Sequence, residues 1–510
     1  MTSEVISKAA PSNGWNTVDA LASMNPNDAV IIDNWFPGTT GCTTRKGYRR
    51  WTTGGMGGGV VKTLFTYAGV ASQKLFGFAN NKIYDCSTFN ASASDVTAGS
   101  AITSNRWQGV TFGGYAIMVN GADVPRKYDG ATWTDAVYSG ATGSTLIQVT
   151  AYRSRLYFVQ TGTLIYWYGA TNAVTGALTS VDLSTVFQRG GYLVCVATWT
   201  RDSGNGPDDF FVAISSTGEY VIYQGPDPSA ASWTLVGRFR MGAPVATRCF
   251  ATVGPELVVA CQDGIVPLSK ALTRGMVDNG ANSAISAKIQ PTFTQATVNY
   301  GANFGWELLL HPDGNYLLVN IPVQNSGVNV TSHQYVVNTV TGGWCRFIGQ
   351  NAICWALFNN QPFFGTAVGT VMEANEGYSD GATGTSTTNG ATITYDIKPA
   401  FDSFGARGQL KQFHMIKPYI QANGPITATL DVQVDFQDEA VTASVSSGGA
   451  GTPWGSPWGS PWGDSQRYTN EWFGVGALGS WGTPRLKLMS KTQQFTFAAY
   501  DMMIERGGFV

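Results

Sequence analysis

One local pattern recurs along most of the chain and constrains its fold more than any other feature of the sequence. A short apolar strand is followed by a polar or glycine-containing turn and a second strand, as in residues 156–159, Thr161-Gly162 and residues 164–166. Glycine supplies the positive φ that such tight hairpins need. The seven first strands start 40 to 59 residues apart, at Leu75, Tyr115, Leu156, Phe210, Leu257, Tyr316 and Phe363.

This spacing predicts an all-β protein built on a β-propeller. Propeller blades repeat every 40–50 residues or so, and a ring of blades buries faces that one blade cannot bury alone. We expect six or seven blades over residues 56–375 and a helix content below roughly 10%. A row of separate β-sandwiches also contains many hairpins and remains the alternative. The first helix candidate, residues 18–24, is short and ends before Asn25-Pro26, where proline disfavours helix in the preceding residue.

The two ends of the chain differ from the repeating region. Residues 1–55 are predicted to be an extended N-terminal docking segment. Residues 376–510 begin with a Gly/Ser/Thr-rich link at 380–390, which is expected to be flexible. Alternating apolar residues at 416–420, 426–430 and 432–436 then predict strands of a C-terminal β-sandwich-like domain.

A tryptophan-rich segment interrupts this C-terminal domain at residues 452–464. The tetrapeptide Ser/Thr-Pro-Trp-Gly occurs there three times. Proline restricts φ and glycine permits a turn, so an ordered or semi-ordered loop is predicted, with Trp454, Trp458 and Trp462 projecting from it. Contact of these side chains with another chain or a host surface is one interpretation, since exposed tryptophan is a strong contact residue. Packing of the rings on one another and on the sandwich is the other.

Charge is scarce in this 510-residue chain, at 13% of residues against roughly 25% in an ordinary globular protein. The 31 basic and 33 acidic residues give a net charge of −2, which argues against a basic nucleic-acid-binding domain and a strongly acidic tail. Surfaces with few charges suit burial against other subunits. The N-terminus lacks the features of a secretory signal. The sequence contains no run of 18 apolar residues, so no membrane span is predicted.

The residue types that carry catalysis are sparse and scattered. His311, His333 and His414 have no second residue at metal-ligand spacing. The seven cysteines include no C-x-x-C pair, so we interpret them as reduced core residues rather than a disulfide framework. The acidic residues at 202–209 lack the spacing of a calcium loop and are expected to form a turn packed by Arg201.

One string approaches a motif of sugar-cleaving propellers without matching it. Asp129-Gly-Ala-Thr-Trp133 is one residue short of the Ser-x-Asp-x-Gly-x-Thr-Trp box, so we predict a hairpin turn with a packed tryptophan. A pair of carboxylates far apart in sequence could still form a glycosidase site, but no residue pattern indicates one. We therefore predict no catalytic residues, no cofactor and no metal.

The densest basic cluster consists of Arg45, Lys46, Arg49 and Arg50, next to Trp51. We predict that it contacts another protein rather than lining a DNA channel. A solvated turn is the alternative.

Several longer strings resemble structural proteins of short-tailed bacteriophages. They run from about residue 30 to 375, and the likeness continues more weakly through the C-terminal region. The strings are Asp33-Asn-Trp-Phe-Pro37 with Arg45-Lys-Gly-Tyr48, Val119-Asn-Gly-Ala-Asp-Val-Pro-Arg-Lys-Tyr-Asp-Gly-Ala-Thr-Trp133, Gly190-Gly-Tyr-Leu193, Thr198-Trp-Thr-Arg-Asp202, Gly206-Pro-Asp-Asp209, Val221-Ile-Tyr-Gln-Gly-Pro-Asp-Pro228, Phe239-Arg-Met-Gly-Ala-Pro244 and Asp263-Gly-Ile-Val-Pro-Leu-Ser269.

The resemblance is to the tail nozzle family, also called tail tubular protein B. It implies a propeller-bearing virion protein, six copies of which form the distal ring of a short tail. Such a ring docks on the tail adaptor, carries fibres or spikes, meets the host envelope transiently and conducts genomic DNA without binding it specifically. A head-completion plug of the phage connector is the close alternative, and a glycan-binding or glycan-cleaving propeller is the alternative from another class.

Overall fold

Each of the seven predicted hairpins lies in a different blade of a propeller. The computed structural model describes residues 3–69, 73–202, 207–272, 284–327, 329–422, 424, 426–439, 441, 444–446, 467–469 and 471–509. Strands hold 53% of the residues and helices 4%. The all-β propeller prediction is therefore confirmed, with seven blades. In six blades the detected hairpin consists of the second and third strands, and in blade 6 the detected strand, which begins at Tyr316, is the second strand.

The seven blades follow one another in chain order, and each blade is built from the centre of the propeller outward. The innermost strands are Thr63–Ala68, Gln108–Phe112, Leu146–Tyr152, Leu193–Asp202, Phe250–Val253, Glu307–His311 and Cys354–Phe358. The second strands are Gln73–Ala79, Tyr115–Val119, Arg155–Gln160, Pro207–Ser215, Glu256–Cys261, Tyr316–Ser326 and Gln361–Gly365. The third strands are Lys82–Asp85, Arg126–Tyr128, Ile165–Tyr168, Glu219–Gln224, Gly264–Pro267, Asn329–Asn338 and Val371–Ala374.

Outer strands complete six of the blades. They are Ser94–Asp95, Trp133–Asp135, Thr179–Asp182, Thr234–Arg240, Trp344–Ile348 and Tyr48–Arg50, for blades 1, 2, 3, 4, 6 and 7. Among the described residues blade 5 has three strands, and the chain continues from it into the helices Leu268–Leu272 and Gln290–Tyr300. Neighbouring blades touch in chain order, and the innermost strand of blade 7 contacts that of blade 1, which closes the ring.

Strand periodicity explains how the ring is held together. Successive side chains on a strand point to opposite faces. In the second strand of blade 1, Phe76 and Phe78 pack in the apolar cluster shared with blade 2, whereas Leu75 packs in the cluster shared with blade 7. In blade 2, Met118 faces blade 1 and Ile117 faces blade 3. Each large apolar side chain buried in this way contributes about 1.5–3 kcal/mol.

The N-terminal segment, predicted to dock on a partner, also pairs within the fold, and its docking role stays a prediction. Tyr48–Arg50 pairs antiparallel with Val371–Ala374 and so supplies the outer strand of blade 7. The 380–390 link, predicted to be flexible, contributes Asp380–Ala382, which pairs parallel with the other edge of Tyr48–Arg50. The helix expected at residues 18–24 is a series of bends and turns, while Gln290–Tyr300, rich in threonine, was not predicted.

Two packed sheets adjoin the propeller and confirm the sandwich-like C-terminal region, which also includes strands from residues 3–44. The first sheet contains Trp35–Pro37, Cys42–Thr44, Phe495–Phe509, Gln409–Ala422 and Arg467–Tyr468, with Ser3–Ala9 and Phe473–Gly479 added at one end. The second sheet extends blade 6 beyond its outer strand through Gly14–Trp15, Asp28–Asp33, Ile393–Pro399, Gly482–Ser490, Thr427–Val434 and Ser444–Ser446. One apolar cluster joins blades 4 to 7 to both sheets.

The remaining short elements are local. They are the two-stranded pairs Thr52–Gly54 with Ala91–Ser92 and Tyr138–Ser139 with Gly176–Ala177, and the 3-10 turns Gly143–Thr145 and Ala287–Ile289. The predicted hairpin turn at residues 129–133 is confirmed. Asp129 Oδ1 accepts the backbone N–H groups of Ala131 at 2.8 Å and Thr132 at 2.7 Å, and Trp133 is buried.

Candidate functional site

The basic cluster predicted as a partner contact begins with a buried arginine. Arg45 donates to both carboxylate oxygens of Asp380, at 2.8 and 2.6 Å. It also donates to the side-chain oxygen of Asn34 at 2.8 Å and to the backbone oxygens of Ile348 at 2.8 Å and Lys46 at 2.9 Å. The prediction of a partner contact is wrong for Arg45, because its guanidinium is enclosed by the chain's own acceptors.

The next two arginines of the cluster also have partners within the chain. Arg49 donates to Glu373 at 2.6 Å, and its guanidinium lies 4.3 Å from the ring centroid of Phe89. Burial raises the pKa of Glu373, although the hydrogen bond from Arg49 acts in the opposite direction. Arg50 donates to the backbone oxygen of Thr52 at 2.9 Å. These contacts leave both side chains half-buried at the edge of blade 7.

Lys46 is the exposed member of the cluster. A partner contact through Lys46, Arg49 or Arg50 stays a prediction. Trp454, Trp458 and Trp462 lie outside the described residues, so their prediction also stays open. The tip of the 202–209 hairpin and the Arg201 side chain lie outside them as well.

The string Asp33-Asn-Trp-Phe-Pro37 lies where the propeller meets the sandwich. Arg346, on the outer strand of blade 6, donates to both carboxylate oxygens of Asp33, at 2.7 and 2.6 Å. Asn34, at φ +61°, accepts from the backbone N–H of Ile348 at 2.9 Å and donates to the backbone oxygen of Thr394 at 2.8 Å. These residues therefore tie blade 6 to the second sheet of the sandwich.

Trp35 continues the same junction into the core of the sandwich. It is fully buried, with ring centroids 6.1 Å from Tyr395 and 6.3 Å from Phe497, which belong to the two different sheets. A cavity of about 120 Å³ lies beside it, lined in part by Phe36, Arg45 and Tyr316. The junction is thus apolar inside and held at its rim by paired charges.

The central channel of the propeller is crossed by an arginine. Arg248, just before the innermost strand of blade 5, donates to Thr63 Oγ1 of blade 1 at 2.7 Å and to the backbone oxygen of Trp107 at 2.6 Å. Its other terminal nitrogen is 3.5 Å from Glu307 Oε1 of blade 6. Glu307 Oε2 accepts from the backbone N–H of Trp355 at 2.8 Å, and burial raises the pKa of this carboxyl while Arg248 lowers it.

Two cavities adjoin this crossing. One, of about 220 Å³, lies along the channel and is lined by residues of blades 1, 2, 5 and 6. The other, of about 180 Å³, lies where innermost strands begin. Thr247, Arg248 and Glu307 line both. This site was not predicted from the sequence, because its residues come from separate connections and form no contiguous motif.

Two of the three histidines make contacts within the chain. His311 is buried against the backbone oxygen of Asn360 at 3.0 Å, and His414 pairs with Glu505 at 2.9 Å. All seven cysteines are buried, so their predicted core positions are confirmed. Across the described ranges no three His, Cys, Asp or Glu side chains are grouped to hold a metal. No helix in those ranges is long and apolar enough to cross a membrane.

The fold and the site together define an all-β protein with a seven-bladed propeller and an occluded channel. No protein family model and no curated protein matches the sequence. Among solved structures, the computationally designed Ika8 protein aligns with a TM-score of 0.36 and 12% identity, over 71% of this chain and 99% of that one.

Two structures of YCF48 are similar to the same extent. YCF48 from Cyanidioschyzon merolae aligns with a TM-score of 0.38 and 12% identity, over 64% of this chain and 98% of that one. YCF48 bound to a D1 peptide aligns with a TM-score of 0.37 and 10% identity, over 70% of this chain and 99% of that one. Neither a function nor a partner follows from likenesses this distant.

Proposed function

We propose that the chain is a tail nozzle subunit of a short-tailed bacteriophage, a structural protein of the virion tail. The observation that carries the proposal is the set of strings between residues 30 and 375 that resemble this family. Six copies would form a ring that docks on the tail adaptor, carries fibres or spikes and conducts the genome. Its role is structural, with no catalytic step.

The position of the most N-terminal string supports this proposal. A ring subunit that transmits load during DNA ejection needs domains that do not rotate against each other. Asp33 and Arg45 make paired, largely buried ion pairs with Arg346 and Asp380, and Trp35 fills the core between the sheets. Residues of the string therefore hold the propeller and the sandwich as one body.

The occluded channel determines where DNA would pass. Arg248 and its partners cross the propeller axis, and the cavity beside them is only about 220 Å³. Hydrogen bonds that link blade 5 to blades 1 and 2 across the axis leave no passage for a double helix inside the propeller. The genome would therefore pass through an opening enclosed by several subunits, in a closed ring of heterologous contacts.

We expect duplex DNA to bind the purified protein weakly at physiological salt. Each phosphate contact made by lysine or arginine releases counterions and adds affinity. Arg45, Arg49 and Arg155 each pair with an acidic side chain of this chain, and the net charge of −2 gives no overall attraction for phosphates. Gel-shift titration at several salt concentrations measures this. Sub-micromolar binding with a steep salt dependence, lost in a double Arg49→Ala and Arg50→Ala variant, would contradict the prediction that duplex DNA binds only weakly.

Immunogold labelling tests the proposed location. Antibodies raised against the purified chain are expected to label the tail of purified short-tailed particles, at the end far from the head. Label at the junction of head and tail would instead favour the head-completion plug. Unlabelled particles, combined with turnover of host polysaccharide by the purified protein, would replace the proposal with a glycan-cleaving propeller.

A further inference from the structure

A cavity of about 180 Å³ opens at the face of the propeller where innermost strands begin. Three connections line it: Arg106 precedes the innermost strand of blade 2, Thr247 and Arg248 precede that of blade 5, and Phe304 precedes that of blade 6. The site is therefore built from three blades that are separate in sequence, and it lies beside the Arg248 crossing.

Arg106 has unused hydrogen-bonding capacity in this cavity. Its guanidinium lies 4.3 Å from the ring centroid of Phe304, and the side chain is exposed. Within the described part of the chain its guanidinium makes no hydrogen bond and no ion pair. Stacking on an aromatic ring fixes the plane of a guanidinium without using its N–H donors. Those donors are consequently available to a ligand.

The charges around the cavity do not balance. Arg248 also lies near the Phe304 ring, at 5.9 Å from its centroid. Glu307 is the carboxylate that lines the cavity, and it is 3.5 Å from Arg248. Two guanidinium groups and one carboxylate leave an excess of one positive charge. A ligand with a single negative charge would neutralise it.

The connection that carries Phe304 is held in place before any ligand binds. Asn303 donates to the backbone oxygen of Pro322 at 2.8 Å, and Asn325 donates to the backbone oxygen of Phe304 at 2.7 Å. Asn320 donates to the backbone oxygen of Gly305 at 2.7 Å. A connection fixed by such bonds loses little entropy on binding, which favours affinity.

We propose that this cavity binds a carboxylate group through Arg106 and Arg248, a property beyond the structural role proposed above. The planar guanidinium fork matches the two oxygens of a carboxylate, and such paired hydrogen bonds are short and strong. One carboxylate also supplies the single negative charge that the site lacks. The group comes either from a free small molecule or from an acidic side chain of a partner protein.

Calorimetric titration of the full chain at constant ionic strength tests the site with two probes. Propionate represents the free carboxylate, and an end-blocked alanine-glutamate-alanine tripeptide represents the side-chain source. We expect saturable binding of at least one probe, and the tighter probe identifies the source. Absence of saturable binding for both would overturn the proposal. Equal binding of inorganic phosphate would overturn the assignment to carboxylate.

Variants connect that binding to the named residues. Arg106→Ala is expected to weaken binding about ten-fold or more, the effect of losing a charged hydrogen bond, and Arg106→Lys is expected to weaken it because lysine lacks the fork. Arg189→Ala, at another exposed arginine, is the matched control and should bind as the parent does. Unchanged binding in Arg106→Ala would overturn the proposal.

Glu307→Gln provides a test with the opposite sign. It removes the negative charge that lines the cavity while keeping a side-chain oxygen to accept the backbone N–H of Trp355. Because repulsion of the ligand carboxylate falls, we expect tighter binding than in the parent. Weaker binding in this variant, with an unchanged unfolding temperature, would contradict the proposed charge balance.

Discussion

Replacing Arg45 with alanine is expected to lower the free energy of unfolding by about 3–5 kcal/mol, the range for breaking a buried ion pair from one side. The substitution leaves the Asp380 carboxylate, which is 11% exposed, without the guanidinium that neutralises it. It also leaves the side-chain oxygen of Asn34 without the hydrogen bond that Arg45 donates to it. Both losses fall where blade 7 meets the sandwich. Thermal and denaturant unfolding of the purified variant measure the change.

Two further variants distinguish a lost ion pair from a general effect of substitution. Lys46→Ala, at the exposed neighbour, should change stability by less than about 0.5 kcal/mol. The double variant Arg45→Met with Asp380→Leu should recover much of the loss, since apolar residues can replace a buried pair at little cost. If Arg45→Ala were as stable as Lys46→Ala, the buried pair would not be holding the junction.

Deleting residues 1–50 is expected to prevent the chain from folding into a soluble monodisperse protein. The deletion removes Tyr48–Arg50, the strand between Val371–Ala374 and Asp380–Ala382 in blade 7. It also removes Asp28–Asp33 and Cys42–Thr44 from the two sandwich sheets. Exposed strand edges and uncovered apolar faces then lead to aggregation. Soluble yield, size-exclusion chromatography and circular dichroism measure the outcome.

A shorter deletion is the control for this experiment. Removing residues 1–9 takes away Ser3–Ala9, which among the described strands pairs only with Phe495–Phe509 at the margin of one sheet, and leaves blade 7 complete. This protein should remain soluble and folded. A soluble, folded product of the longer deletion would show that the ring closes without its N-terminal strand.

The propeller could be predicted because its signals are local. Hairpins such as the one turning at Thr161-Gly162 carry glycine in the turn and apolar residues on adjacent strands, so seven of them were detected. The innermost strands were missed because several are short, with four residues in Phe250–Val253 and five in Glu307–His311, and because they follow long connections. The sequence left six or seven blades open, and the strand pairing in the structure shows seven.

The partners of the N-terminal segment within the fold could not be predicted because they are distant in sequence. Arg45 and Asp380 are 335 residues apart, and no local pattern links them. Four basic residues within six positions indicated one basic surface cluster. In the structure Tyr48–Arg50 pairs within a sheet, so that one of the four side chains is buried, one is exposed and two are half-buried. The channel site escaped prediction for the same reason, since Arg106, Arg248 and Glu307 belong to blades 2, 5 and 6, which are distant in sequence.

A three-dimensional electron microscopy reconstruction of the tail of purified particles tests the central proposal most directly. We expect a ring of six copies at the distal end of a short tail, each copy fitting a seven-bladed propeller joined rigidly to a sandwich. The DNA path should run between subunits, outside every propeller axis. Particles that lack the chain, or hold it in a number that is not a multiple of six, would contradict the proposal.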